Sequence, residues 1–218
     1  MGSITVEVTD LVATVTFDRP PVNAIDYPSM EELTEVFASF GERRDVRAVI
    51  FTATGDRAFI AGVDLSSAVQ RPSEAERAKT LIDPGHIARD LMWAIADCAV
   101  PVIAAVNGPA LGAGLAFAAC CDILLASENA TFGTTEINVG LLGASAHLML
   151  LVGRHKAREM FFTGEQVPAA ELYRVGAVRA VVPRAELLPT ATELAQSLAA
   201  KSPIALRLAK EAMNRVEF

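Results

Sequence analysis

Val102-Ile103-Ala104-Ala105-Val106-Asn107-Gly108-Pro109-Ala110-Leu111-Gly112-Ala113-Gly114 decides how this chain folds. Val102 to Val106 is a short apolar run after Pro101, which reads as a buried strand. Asn107-Gly108-Pro109 breaks it, and Gly108 to Gly114 forms a glycine-bearing turn. Leu115 to Cys121 then continues as a helix of small residues. Strand, glycine turn and helix in succession point to an α/β protein. The start of such a helix leaves N–H groups unpaired, so it can face a phosphate or a developing oxyanion. The same glycines also suit close packing of a helix on a sheet, and both readings stand at this point. Gly112 and Gly114 match a dinucleotide fingerprint only in part. The third glycine is missing and no acidic residue follows at the required distance, which disfavours a dinucleotide-dependent reductase.

Upstream, Ala48 to Ala53 (AVIFTA) is a second buried strand, bounded by charges and by Thr54-Gly55-Asp56. It leads into Arg57-Ala58-Phe59-Ile60-Ala61-Gly62-Val63-Asp64-Leu65. Gly62 among apolar neighbours allows a backbone that a Cβ would forbid, so one reading is a backbone N–H offered to a ligand oxygen. The other is an ordinary strand-to-helix turn with Asp64 as N-cap. Ser3 to Val8 and Leu11 to Phe17 read as a hairpin turning at Thr9-Asp10, ended by Arg19-Pro20-Pro21. Met30, Leu33, Val36, Phe37 and Phe40 recur at helical spacing, with Pro28 in the first turn and Gly41 as the stop. Ser66 to Gly85 is polar and unpatterned, a mobile surface segment in which Ser73 and Glu76 resemble a capping box. Ile87, Leu91 and Ile95 mark the helix before Pro101.

Downstream, Ile123 to Ala126 is a strand. Thr131-Phe132-Gly133-Thr134-Thr135-Glu136-Ile137-Asn138-Val139-Gly140 follows, with Glu136 in an otherwise uncharged stretch between Glu128 and Arg154. A carboxylate in apolar surroundings has a raised proton affinity, which suits proton transfer near neutral pH. It can equally cap a loop or pair with a distant cation. His147 to Val152, Lys156 to Phe162, Ala169 to Val175, Leu187 to Ala200 and Pro203 to Val216 read as helices, with Ala180 to Val182 a short strand among them. Ser202-Pro203 suits an N-cap and first position. The division expected is a core over 1–143 and a mostly helical region over 144–218.

Of 218 residues, 52% are hydrophobic and 21% charged, enough apolar chain for a sizeable core. The net charge of −7 argues against a nucleic-acid partner. The N-terminus lacks a signal-peptide pattern, and the apolar runs are too broken for a membrane span. Cys98, Cys120 and Cys121 have no metal-ligand spacing and read as reduced core thiols of a cytoplasmic protein. No metal site is expected.

Taken together, these segments resemble the enoyl-CoA hydratase/isomerase, or crotonase, superfamily from about Ile4 onward. The resemblance rests on Pro21-Val22-Asn23-Ala24-Ile25, Ala58 to Leu65, Ala105-Val106-Asn107-Gly108, Ala110 to Gly114, Cys121-Asp122, Phe132-Gly133, Phe162-Thr163-Gly164 and Ser202-Pro203, in that order. It implies repeated β-β-α units forming two packed sheets wrapped by helices, assembled as a trimer or dimer of trimers. It implies an acyl-CoA thioester as partner, with coenzyme A entering as part of the substrate and no separate cofactor. The thioester carbonyl would sit between the backbone N–H groups of Val63 and Ala113, an oxyanion hole for an enolate. Substrate and CoA contacts are implied at Ala24, Ala61, Gly62, Leu65, Gly112, Gly114 and Gly140.

The chain departs from that pattern at three places. Hydratases of the family use two glutamates; here the first position is Ala116 and the second is Glu136. Water addition is handicapped without the pair, whereas one base can move a proton between two carbons, so an enoyl-CoA isomerase is favoured, with Glu136 catalytic. A hydratase, or a non-catalytic acyl-CoA-binding protein, is the alternative. Asn138 and His147 are possible second polar groups. Leu141-Leu142-Gly143-Ala144-Ser145-Ala146 lacks a proline and a glycine usual in the family, which leaves substrate choice open. Finally, the chain stops at Phe218, so the family's last helical segment is expected to be missing. Leu206, Leu208 and Met213 would then expose apolar surface, with weaker assembly and a more open pocket.

Overall fold

The computed structural model describes residues 3–64 and 85–217. Leu65, the capping box at Ser73 and Glu76, and any helix that Asp64 would cap lie outside the described residues.

The first hairpin pairs β1 (Ile4–Thr9) with β2 (Val12–Phe17), in register from Ile4 opposite Phe17 to Thr9 opposite Val12. Its turn is Asp10-Leu11 rather than Thr9-Asp10. Both residues take positive φ, 50° and 67°, the mirror-image turn that follows strand twist. Aspartate tolerates this backbone and leucine does not advertise it, which is why the sequence pattern placed the turn one residue early. Four further strands run parallel beside β2: β3 (Ala48–Ala53), β4 (Val102–Val106), β6 (Ile123–Ser127) and β9 (Ala180–Val182). The sheet order is β1-β2-β3-β4-β6-β9. Every residue of β3 and β4 is buried, as expected of parallel strands covered on both faces.

One face carries the main core. Phe37 of α1 (Tyr27–Ser39) meets Phe51 edge-on at 5.4 Å, and Phe51 meets Phe59 at 5.2 Å. Asp26 caps α1 by accepting from the Ser29 N–H at 3.0 Å, and α2 (His86–Ala96) packs beside it. The opposite face, with Val12, Ile50, Ile103 and Leu125, is covered by α7 (Arg184–Ala199) through Leu187, Ala191, Ala195 and Ala199. Three alanines at helical spacing let that helix seat close to the strands.

The second sheet consists of β5 (Ala110–Leu111), β7 (Thr131–Gly133) and β8 (Val167–Pro168), with β5 parallel to β7. These three strands are too short to show alternation and, unlike β9 between its two helices, have nothing in their flanks that marks them as strands. The helices α3 (Ala113–Ala119), α4 (Ser145–Val152), α5 (Arg154–Thr163), α6 (Ala169–Arg174) and α8 (Pro203–Glu217) follow the predicted order. Ser202 caps α8, accepting from the Ala205 N–H at 3.3 Å. Lys210 of α8 is buried and donates to Asp122 at 2.7 Å, with the carbonyls of Ile95 and Val100 also in reach. No helix among the described residues is long and apolar enough to cross a membrane.

Candidate active site

Two backbone segments lie side by side beneath the second sheet. Ile60 forms a parallel bridge with Ala110; Leu111 N–H donates to Ile60 O and Phe59 N–H to Pro109 O, each at 3.0 Å. The approach is too close for side chains. A Cβ on Gly108 would come within 3.1 Å of Ala58 Cα, and one on Gly114 within 2.2 Å of Ile60 O. Close packing therefore accounts for Gly108 and Gly114 being glycine. Gly62 and Gly112, each two residues past the bridged pair, have φ of 113° and 53°, a region that favours glycine. Both bend the chain immediately before Val63 and Ala113.

Val63 pairs with Ile25 in a single parallel bridge. Ile25 N–H donates to Gly62 O at 2.9 Å and Asp64 N–H to Ile25 O at 2.8 Å. Successive amides of an extended chain point to opposite sides, so the Val63 N–H points away from Ile25. Ala113 opens α3 behind Gly112, where helical N–H groups lack intrahelical acceptors. Ala116, one turn on, is buried and donates its N–H to Gly112 O.

Glu136 comes from a 3-10 turn, Thr135–Val139, that follows β7. Gly112 N–H donates to Gly133 O, at the end of β7, at 2.9 Å, and Leu141 N–H donates to Glu136 O at 3.0 Å, closing the turn on the segment that follows it. Its carboxyl group is wedged between two glycines. A Cβ on Gly112 would fall 2.0 Å from Oε1, and one on Gly143 would fall 2.8 Å from Oε2. Oε2 is buried and has no hydrogen-bond partner, and among the described residues no cation pairs with this carboxylate. Burial pushes its pKa upward, opposed in part by its own backbone N–H. A half-buried carboxyl group, short of partners and held beside Gly112, has the raised proton affinity that suits proton transfer near neutral pH.

The other predicted positions are distributed as follows. Ala24 is half-buried, with its carbonyl accepting from Arg19. Ala61 is half-buried beside Gly62. Gly140 is the exposed left-handed cap of the 3-10 turn, with φ 76°. Asn138 donates to Gly164 O at 3.3 Å, anchoring the turn to the end of α5. His147 is half-buried on α4, and burial lowers its pKa, which keeps its ring neutral near pH 7. A groove of about 480 Å³ between α2 and α8, lined by Trp93, Arg207, Lys210 and Asn214 among others, holds none of these residues.

Sequence reasoning missed two groups here. Asn23 is buried at φ 53° and donates to the carbonyls of Thr54 and Ala58, both at 2.9 Å. Asparagine is among the few residues that tolerate that backbone, which is the signal that could have found it. Arg19, taken only as the end of a hairpin, donates to Asp64 at 2.7 Å.

Residues 7–217 match the family described as enoyl-CoA hydratase/isomerase. A curated relative from Mycobacterium tuberculosis, named (7aS)-7a-methyl-1,5-dioxo-2,3,5,6,7,7a-hexahydro-1H-indene-carboxyl-CoA hydrolase, is 42% identical over 206 residues, covering 94% of this chain and 81% of its own. The short-chain-enoyl-CoA hydratase of Clostridium acetobutylicum is 36% identical over 219 residues, covering 99% and 82%. Among solved structures, the enoyl-CoA hydratase from Bacillus anthracis superposes with a TM-score of 0.88 at 34% identity, covering 98% of this chain and 83% of its own.

Proposed function

This chain belongs to the enoyl-CoA hydratase/isomerase (crotonase) family of enzymes, and from that premise we propose that it isomerises an enoyl-CoA with Glu136 as its single proton carrier. The observation that carries the reading is the Glu136 carboxyl group, unpartnered at Oε2 and set against Gly112, while the neighbouring helix offers Ala116 instead of a second carboxylate. In this reading the thioester oxygen lies between the Val63 and Ala113 amides. In the same reading Ala24, Ala61, Gly62, Gly112, Gly114 and Gly140 line the path of the acyl-CoA, and Leu65, outside the described residues, is assigned to it by the resemblance alone.

The steps balance with one base. Glu136 takes a proton from C2 of a 3-enoyl-CoA, and the electron pair is delocalised through C1 onto the thioester oxygen and through the C3–C4 double bond onto C4. The two amides stabilise that charge without reorganising, each worth on the order of 3 kcal/mol in comparable sites. Glu136 then returns the proton to C4, leaving the double bond between C2 and C3. No water is consumed, so no second carboxylate is needed to orient one.

A second reading is favoured by a specific observation: relatives 42% and 38% identical bear the name of a carboxyl-CoA hydrolase acting on a dioxo bicycle. There the same carboxylate would take a proton from water as it attacks a ring ketone. The carbon–carbon bond would break toward the thioester, the amides would hold the resulting enolate, and Glu136 would protonate its carbon.

The test is to incubate 3-enoyl-CoA, 2-enoyl-CoA and a cyclic oxoacyl-CoA with wild type and Glu136→Gln, following products by enoyl-thioester absorbance, chromatography and mass. Isomerisation without mass change supports the first reading. Gain of one water by the cyclic substrate, with CoA retained, supports the second. Hydration of 2-enoyl-CoA at a rate equal to isomerisation, or full activity of Glu136→Gln, refutes the single-carboxylate mechanism.

A further inference from the structure

We propose that Arg19 is the positioning residue of the Val63 amide: its guanidinium ties together the two backbone segments whose pairing aims that N–H. The inference rests on the reading of Val63 as an oxyanion donor and adds how the donor is held. The Ile25–Val63 bridge is a single bridge outside any strand, kept by two hydrogen bonds of 2.9 and 2.8 Å. Among the described residues no further backbone hydrogen bond joins the two segments. Arg19 grips it on both sides. Nη1 donates to the carbonyl of Ala24, just before Ile25, at 2.6 Å. Nη2 donates to Oδ2 of Asp64, just after Val63, at 2.7 Å. The same nitrogen lies 3.3 Å from Asp26 Oδ2, on the other flank of Ile25.

The arginine is itself fixed at its root. Its N–H donates to Asn23 Oδ1 and its carbonyl accepts from the Asn23 N–H, both at 2.9 Å. Asn23 in turn holds the carbonyls of Thr54 and Ala58, on the segment that leads to Gly62. The planar fork reaches a carbonyl and a carboxylate from two separate nitrogens; a lysine carries its donors on one nitrogen of a different reach and does not reproduce that two-point span. Loss of the fork removes one tie from Ala24 O and one from Asp64 together, which loosens the pairing that aims the Val63 N–H.

The experiment compares wild type, Arg19→Lys and Asp64→Asn in kcat and KM, in binding of a saturated acyl-CoA, in melting temperature, and in the near-ultraviolet band of a bound 3-oxoacyl-CoA enolate. Displacing a donor by about 1 Å costs on the order of a hundredfold, and deleting one costs more. Arg19→Lys is therefore expected to lower kcat about tenfold to a hundredfold and to weaken the enolate band. Saturated acyl-CoA binding should stay within about threefold, because uniform binding does not use that donor. Asp64→Asn should move the same readouts in the same direction by less, since its amide oxygen still accepts from the guanidinium. It decides the matter if Arg19→Lys does not fold. Wild-type kcat and enolate band in the variants overturn the inference. So does a loss that merely tracks melting temperature and saturated acyl-CoA binding. A wild-type protein with no turnover and no enolate band sinks the proposed function first, and this inference with it.

Discussion

Gly112→Ala and Gly143→Ala put the location of the Glu136 carboxyl group to a graded test. An added Cβ at position 112 would stand 2.0 Å from Oε1 and 2.5 Å from Cδ. Ordinary contact begins near 3.4 Å, so the carboxyl group has to retreat by about 1.4 Å. At position 143 the closest approach is 2.8 Å, which asks for a retreat of only about 0.6 Å. A misplacement of about 1 Å costs on the order of a hundredfold in rate, so Gly112→Ala should lower kcat at least that far and Gly143→Ala about tenfold. Alanine at φ 53°, ψ −114° lies outside the left-handed helical well and adds about 1–3 kcal/mol of backbone strain at position 112, so both variants are checked by thermal melting before kinetics. A readout independent of turnover comes from pH. The buried carboxyl group binds its proton more tightly folded than unfolded. Wild-type stability therefore falls as pH rises from the ordinary carboxylate range through the raised folded value. A carboxyl group driven toward water loses that slope. If Gly112→Ala keeps wild-type kcat and slope, or if Gly143→Ala is the more damaging of the two, the carboxyl group does not lie where the mechanism requires it.

The other expectations are simpler. Glu136→Gln should lose about a hundredfold to ten-thousandfold in kcat; by the same linkage it should melt above wild type at neutral pH, the gap closing at acid pH where wild type is protonated in both states. A variant that melts below wild type at pH 7 contradicts a desolvated carboxylate. Lys210→Met removes the bond from this buried ammonium to the exposed carboxylate of Asp122, which keeps the Val102 N–H and solvent, so unfolding by denaturant should show a loss of about 1 kcal/mol. No change in midpoint would mean that α8 is held elsewhere. Ala116→Glu restores a second carboxylate at the position where hydratases of the family carry one, so the ratio of hydration to isomerisation should rise in a two-substrate assay. An unchanged ratio, in a folded variant with its activity intact, would mean that Ala116 is not what limits water addition.

Much of the fold was legible because the strands that matter are buried on both faces. Ala48 to Ala53 and Val102 to Val106 are unbroken apolar runs, and no surface alternation confuses them. Helices announced themselves where Met30, Leu33 and Phe37 recur on one buried face. What failed to show were contacts set by backbone geometry. Leu11 at positive φ shifted the first turn, and β5, β7 and β8 are too short to carry a pattern.

The site divides along the same physical line. Glu136 stood out because charge is absent around it in sequence, and burial around it in space raises its proton affinity. Its confinement did not stand out, since Gly112 becomes its neighbour only through the register of β5 on β7, where Leu111 sits opposite Gly133, and Gly143 only through the fold-back of the chain after the 3-10 turn. Gly62 and Gly112 looked alike in sequence as two glycines before two small or apolar residues. The Ile60–Ala110 bridge turns that likeness into geometry, because the residues one step beyond each glycine then lie at equal offsets from a shared pair. Arg19 is the extreme case. Between a hairpin and a proline pair it reads as a surface charge, and only the closing of Ile25 onto Val63 gives its two nitrogens an acceptor on either side. A residue whose role is to hold two distant segments together leaves no local trace, so its importance has to be measured on the amide it aims rather than inferred from its own surroundings.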